Sequence, residues 1–509
     1  MRLYAPPAGH FRRAPAFAEK NTGKVGRRGT GNRLPRSGAA ERSCGNESER
    51  ENGKIIMGRL FGTDGIRGKA NSYPITPENA LLVGKAVAKY FSARSGSGKP
   101  RAVLGKDTRL SGYMLENAIS AGLLSMGMDV LVVGPMPTPA VAHLVKSFAA
   151  DCGIMITASH NPAEDNGIKI FDREGFKLSE AVSDELERMI FDGTLSSEQI
   201  ANGSIGKARR IDDARGRYIE FAKSSIANAS LAGLKMVLDC ANGAAYSIAP
   251  AIFRELGAEV IVCGDRPDGV NINAGCGATC LEPLRKLTVE HHADLGVALD
   301  GDADRVIFCD AGGSVVDGDR IIGMVALESC RSGKLRNRQV VVTSMSNLGL
   351  IRAMKDAGID VITTDVGDHL VIEAMREHRC SIGGEQSGHV IFMDYVTTGD
   401  GIITALHIMK LMREKSASLH DLADFMTPFP QKMLNLPVTE KKPLAEMASL
   451  QRELSAMRDT LGDRGRAVVR YSGTENKLRI LCETEEADDL ERYLDRLTAA
   501  AKHDLEMDK

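Results

Sequence analysis

One phrase recurs three times in this chain and limits its folds more than any other feature. A helical end, a glycine and a short apolar run follow one another around Gly127, again around Gly257 and again around Gly358. Glycine supplies the left-handed turn that ends a helix. The apolar runs that follow, at 130–133, 260–262 and 361–362, are short enough for buried strands. Ahead of each phrase lies another apolar run, at 102–105, 236–239 and 340–343. Strand, helix, strand, three times over, predicts three similar α/β domains with mainly parallel mixed sheets. The repeat exceeds 100 residues, so it marks repeated domains and not a solenoid.

The tail reads differently. From Gln431 the pattern predicts a strand at 432–438, a helix at 444–461, two strands at 467–469 and 478–482, and a closing helix from Ala487. That is a smaller C-terminal α+β domain. The head differs again. Residues 1–56 are rich in Arg, Gly, Ser and Pro, and their 12 basic and 5 acidic side chains give a net charge of about +7. Such a segment buries too little to offset its ordering entropy, which predicts a disordered basic leader. The expected divisions are 57–208, 209–309, 310–430 and 431–509.

Composition excludes some classes. A chain of 509 residues with 43% hydrophobic and 26% charged residues suits a multidomain globular protein. A formal net charge of -2 gives no electrostatic case for nucleic acid. No apolar run approaches the roughly 20 residues that span a bilayer. The ten cysteines are scattered without a C-x-x-C pair, which predicts inert thiols in a reducing, cytoplasmic setting.

Four loops carry chemistry. Thr157-Ala158-Ser159-His160-Asn161-Pro162 follows a strand-like run and is built of turn formers, which lifts the Ser159 hydroxyl onto a loop. Lys169 follows closely and is positioned to return an ammonium; His160 is a second candidate for proton transfer. Asp300, Asp302 and Asp304 alternate with the small residues Gly301 and Ala303 after the run 295–299. In extended backbone, alternate side chains share a face. Two carboxylates about 4 Å apart repel by roughly 4 kcal/mol at an effective dielectric near 20, so three in one place call for a cation. An all-oxygen set suits Mg2+. The third loop holds Glu385 and Ser387 between Gly384 and Gly388, where the backbone can approach a ligand closely. The fourth holds Arg470, Ser472, Gly473 and Thr474, with Arg479 beyond: a cradle for a phosphate that does not react. Near the folded start, Arg67 lies in the Gly-rich stretch 61–68, within prospective reach of a phosphate on Ser159. A hydroxyl that can carry phosphate and acids that can hold a divalent cation together point to phosphoryl transfer.

Taken together, T-A-S-H-N-P, D-G-D-A-D-R, G-E-Q-S-G-H and R-Y-S-G-T-E-N, in order and one per predicted domain, resemble the α-D-phosphohexomutases over about residues 57–509. Gln386, the Phe61–Gly68 start and the Gly134–Pro139 run resemble the members that act on hexosamine phosphates. The resemblance implies four domains around a central cleft. It implies Ser159 as a phosphorylated nucleophile, and one Mg2+ held by Asp300, Asp302, Asp304 and a phosphoserine oxygen. It implies sugar contacts at Glu385 and Ser387, and a distal phosphate on Arg470, Ser472, Gly473, Thr474 and Arg479. The implied reaction interconverts glucosamine 6-phosphate and glucosamine 1-phosphate, with glucosamine or glucose 1,6-bisphosphate as intermediate or activator, in a cytoplasmic homodimer. Two positions depart from the family: His369, where arginine is commoner, and Cys280, where histidine is expected. The rivals are a phosphomannomutase/phosphoglucomutase with the same chemistry, a magnesium phosphatase, which the distal cradle disfavours, and a non-catalytic sugar-phosphate sensor, which the intact Ser159, acidic trio and Lys169 disfavour.

Overall fold

The structure is a computed structural model that describes residues 50–51, 54–55, 59–62, 64–96, 98–472 and 476–506. The expected disorder of 1–56 lies almost wholly outside the described residues. Within that leader, Arg50–Glu51 pairs antiparallel with Lys54–Ile55. Residues from Arg59 onward form one compact unit.

The three recurring phrases become three parallel strand pairs. Arg101–Lys106 lies beside Asp129–Pro135, Lys235–Asp239 beside Glu259–Cys263, and Gln339–Thr343 beside Asp360–Thr364. Gly127, Gly257 and Gly358 adopt φ of 89°, 92° and 66°, the left-handed turn each helix end requires. A third strand then pairs parallel on the other side of the first: Cys152–Ile156, Leu295–Leu299 and Ile382–Gly384. Each third strand turns back into an antiparallel neighbour, respectively Asp165–Phe171, Val306–Asp310 and Val390–Phe392. The serine, acidic and Glu385 loops are therefore the same turn of the same unit, used three times. The parallel core and antiparallel return make mixed sheets.

Two expected divisions need correction. The first sheet continues to Ala208–Arg210, which pairs with Asp129–Pro135, so a break after 208 cuts a strand. That strand is exposed throughout and has no apolar run to announce it. The second sheet continues to Val315–Val316, so a break after 309 cuts a hairpin. Asp310 there is no linker; its carboxylate accepts from the backbone of Gly312 and Ser314 and closes the turn.

The fourth domain is a three-stranded antiparallel sheet in the order Gln431–Pro437, Lys477–Thr484, Gly465–Tyr471, covered by helices Ala448–Leu461 and Ala487–Asp504. The expected helix at 444–461 is split: a 3-10 turn at Leu444–Glu446 ends at Met447, whose ψ of 78° is not helical. The core of this domain (Leu450, Met457, Leu478, Ile480, Tyr493, Leu497) draws, among the described residues, on none outside 434–505. Among the described residues, no helix is long and apolar enough to cross a membrane.

Candidate active site

Ser159 sits at the end of the buried strand Cys152–Ile156 with φ of 53°, a left-handed backbone that costs a non-glycine residue about 1–2 kcal/mol. The surroundings impose that conformation. Arg109 is fully buried and donates to four carbonyls of the serine loop: Ser159 at 3.0 Å, Asn161 at 2.8 Å, Asp165 at 3.0 Å, and Pro162. Its Nε donates to Asp107 Oδ2 at 2.8 Å, and Thr157 Oγ1 donates to the same oxygen at 2.7 Å. One guanidinium thus satisfies carbonyls that burial would otherwise leave unpaired. From this platform Ser159 Oγ donates to Asp300 Oδ2 at 2.6 Å, across 141 residues of sequence.

The acidic loop is not extended backbone, as alternation alone predicted. It is a tight turn in which Ala303 N–H donates to Asp300 C=O at 3.0 Å and Ala303 takes φ of 57°. Gly301 is required by contact: a Cβ there would come within 2.5 Å of the Ser159 carbonyl. The turn brings one carboxylate oxygen from each of Asp300, Asp302 and Asp304 within 4.8 Å of one another, all buried. Asp302 Oδ1 and Asp304 Oδ1 have no hydrogen-bond partner. Burial and the neighbouring acids Asp304 and Asp302 push the Asp300 carboxyl well above its usual range. Dry orphan oxygens beside a hydroxyl fit a small hard cation that accepts oxygen ligands.

Lys169 enters this cluster from the return strand Asp165–Phe171. Its Nζ donates to Asp302 Oδ2 and Asp304 Oδ2, both at 2.9 Å, and lies 3.6 Å from Asp64 Oδ2. Against desolvation, Asp302, Asp304 and Asp64 hold its pKa well above the ordinary lysine value. Lys169 therefore meets the acids and not the serine hydroxyl. His160 does not face that hydroxyl either; its Nδ1 is 3.2 Å from Arg305 Nη1. Burial, then Arg305 and Arg67, push the His160 pKa down to about 4. Arg67 is paired with Asp64. From Asp64 the charges continue through Lys177 to Asp368, whose Oδ2 is 3.6 Å from His389 Nε2. His389 Nδ1 in turn lies 3.7 Å from Asp304 Oδ1, which closes the circuit on the acidic trio. His369 lines a cavity beside this circuit with Asp64, Lys169, Lys177 and Glu373.

The remaining loops face the same region. Glu385 is half-buried, and Ser387 Oγ donates to its Oε2 at 3.3 Å. Arg470 and Arg479 are directly opposite in the fourth sheet. Burial and then the Arg479 charge lower the Arg470 pKa, and Glu385 and Asp365 oppose that. Like charges directly opposite each other are destabilising in a sheet. Glu385 also acts on Arg305, whose pKa rises against desolvation chiefly through Asp304 and Asp300. Ser472 is buried, and its carbonyl accepts from Lys441 Nζ at 2.8 Å. Gly473 and Thr474 lie outside the described residues.

Sequence reading missed Asp107 and Arg109, Thr138, Lys177, Asp368 and His389. Thr138 Oγ1 donates to Asp302 Oδ2 at 2.5 Å. Two signals were available. Asp107-Thr108-Arg109 directly follows an apolar strand, and Arg305 and His389 each adjoin a loop already singled out.

Comparison with known proteins agrees with this layout. The chain matches the four domain models described as phosphoglucomutase/phosphomannomutase: domain I at 58–197, II at 216–313, III at 317–429 and the C-terminal domain at 433–500. It is 51% identical over 435 residues to a phosphoglucosamine mutase of Citrifermentans bemidjiense, covering 85% of this chain and 95% of that one. To the phosphoglucosamine mutase of Chlamydia trachomatis it is 49% identical over 429 residues, 84% of this chain and 93% of that one. The fold resembles a Burkholderia thailandensis phosphoglucomutase/phosphomannomutase family protein with TM-score 0.74 at 24% identity, covering 88% and 98% of the two chains. It also resembles Aspergillus fumigatus N-acetylphosphoglucosamine mutase, solved with GlcNAc-6P and magnesium, with TM-score 0.61 at 18% identity, covering 89% and 97%.

Proposed function

The chain belongs to the phosphoglucomutase/phosphomannomutase family, and from that premise we propose that it interconverts glucosamine 6-phosphate and glucosamine 1-phosphate through a phosphoserine at Ser159. The observation that carries this reading is the 2.6 Å hydrogen bond between Ser159 Oγ and Asp300 Oδ2, beside two orphaned acid oxygens. The relatives' names favour the hexosamine over other hexoses.

The phosphoryl group on Ser159 moves to O1 of glucosamine 6-phosphate: the bond from phosphorus to Ser159 Oγ breaks as the bond to O1 forms. The O1 hydroxyl's proton passes to a base, for which neutral His160 is available, and the departing Ser159 oxygen takes a proton in turn, for which Lys169, held as an ammonium by Asp302, Asp304 and Asp64, is the candidate donor. The resulting 1,6-bisphosphate reorients, and its 6-phosphoryl group returns to Ser159. Asp300, Asp302, Asp304 and a phosphoserine oxygen would hold one Mg2+. When bound, that ion neutralises charge on the transferring phosphoryl group. Arg67 and Arg305 add fixed positive charge at the same end. Arg470, Ser472 and Arg479, with Gly473 and Thr474, hold whichever phosphate is not reacting. Glu385 and Ser387 take the sugar hydroxyls. Such a reaction needs positioning more than covalent chemistry from the protein, and the Arg109 platform supplies a rigid serine. The proposal places the reaction in the cytoplasm, on the route to UDP-N-acetylglucosamine, with a homodimer as the assembly.

The test joins intact-mass analysis with turnover. The purified chain carries a phosphoryl group on Ser159 and turns over glucosamine phosphate faster than glucose or mannose phosphates. Ser159→Ala loses both, with turnover down by about 10⁴-fold or more. Substantial turnover in that folded variant contradicts phosphoserine chemistry.

A further inference from the structure

The fourth domain keeps its own core, so what fixes its direction is a separate question from what folds it. The answer lies on the hairpin Gly465–Tyr471/Lys477–Thr484. Register pairs Arg466 with Glu483 and Arg470 with Arg479. Residues 466, 468 and 470 share one face, as do 479, 481 and 483. The two pairs therefore lie on the same face of one ladder, four residues or about 13 Å apart. One pair is the phosphate cradle. The other grips the third domain.

That grip is built and buried. Glu483 is 0% exposed. Its Oε1 accepts from the backbone N–H of Leu348 at 2.7 Å, and its Oε2 accepts from Arg466 Nε at 2.9 Å. Leu348 is the first residue of the helix Leu348–Asp356, so a carboxylate of the fourth domain fills one of the free N–H positions at the start of a third-domain helix. Arg466 Nη2 donates to the Ser346 carbonyl two residues earlier. The segment 346–348 is held from its other side as well. Asn347 N–H donates to Asp319 Oδ2 at 2.7 Å, and the Asn347 amide bonds both the N–H and the carbonyl of Phe429 in the connection between the domains.

We propose that Arg466 and Glu483 form the docking latch of the fourth domain, with Glu483 a positioning residue that sets where Arg470 and Arg479 present a phosphate to the third-domain sugar loop. The inference rests on the phosphohexomutase reading for its readout. A latch that aims the cradle matters for a substrate with a distal phosphate. It does not matter for an acceptor that lacks one.

Glu483→Ala and Arg466→Met, each prepared as the full chain and phosphorylated with glucose 1,6-bisphosphate, test this with two acceptors. With glucosamine 6-phosphate, KM rises roughly ten- to a hundredfold, as for a cradle displaced by about 1 Å. With glucosamine, which has no distal phosphate, the rate of phosphoryl loss from Ser159 stays within about twofold of the parent chain. Glu483→Gln, which keeps an acceptor for Leu348 N–H, recovers part of the KM. An unchanged KM in both variants overturns the latch. So does an equal loss with both acceptors, which marks a general structural role. The parent chain run alongside separates the two readings. No turnover there removes the mutase assignment and the latch with it; normal turnover there with unchanged variants removes the latch alone.

Discussion

The proposed reaction centre and the proposed phosphate cradle solve opposite problems. Around Ser159 the polar side chains are buried and, the Oδ1 atoms of Asp302 and Asp304 among the exceptions, hydrogen-bonded, and the charged groups come from three domains: Arg109 and Lys169 from the first, the acidic trio from the second, His389 from the third. Around Arg470 and Arg479 the side chains are half-buried, and two like charges face each other on a domain with a private core. The first arrangement fixes a nucleophile. The second sets two arginines directly opposite each other on one ladder. The proposal thus puts the chemistry where the chain is most constrained, and substrate capture where it is least.

Substitutions sharpen that contrast. Arg109→Met strips the serine loop of its carbonyl partners and leaves the buried Asp107 without its counter-charge, so unfolding in denaturant loses about 3–5 kcal/mol; a loss below about 1 kcal/mol would remove the platform from the account. Asp302→Asn takes one orphaned oxygen from the trio. Turnover falls by about 100-fold, and the thermal stabilisation that added Mg2+ gives the parent chain disappears. Equal stabilisation of both proteins would place the ion elsewhere. Arg470→Ala belongs to the other region: KM for the sugar phosphate rises by roughly ten- to fiftyfold, yet stability stays within about 0.5 kcal/mol, as for a half-buried side chain outside the domain core. If it destabilised as Arg109→Met does, the contrast between the regions would fail.

The smallest effect concerns Asp319, behind the junction of the third and fourth domains. Burial, then Asp317, pushes its carboxyl up to about 7. The folded state therefore favours the protonated acid, and this contribution to stability is present below the unfolded carboxylate pKa and lost as pH rises toward 7. Asp319→Asn removes the slope between about pH 4 and pH 7, a change of about 1–3 kcal/mol across the window. Parallel pH profiles of unfolding for the two proteins would contradict it.

The repeated units were legible because their signals are local. Gly127, Gly257 and Gly358 end helices within a few residues of the strands they introduce. The acidic trio was legible because one turn carries all three carboxylates. Its geometry was not, because alternation cannot distinguish an extended strand from a turn that Ala303 closes in the left-handed region. What Arg109 and Glu483 hold was silent for another reason. Their partners lie 50 to 56 residues away within the serine loop and 135 residues away at Leu348, and no local pattern encodes such pairings. Short exposed strands such as Ala208–Arg210 were lost because an edge needs no apolar run.

The most direct measurement follows a labelled phosphoryl group. Protein carrying radiolabelled phosphate on Ser159 is mixed with unlabelled glucosamine 6-phosphate in the presence of Mg2+, and the label is traced in a single turnover. The account predicts that label leaves Ser159 for the 1-position of the sugar, passing through a 1,6-bisphosphate, and that chelation stops the transfer. Label released only as free phosphate, or retained on the serine while product forms, would contradict it.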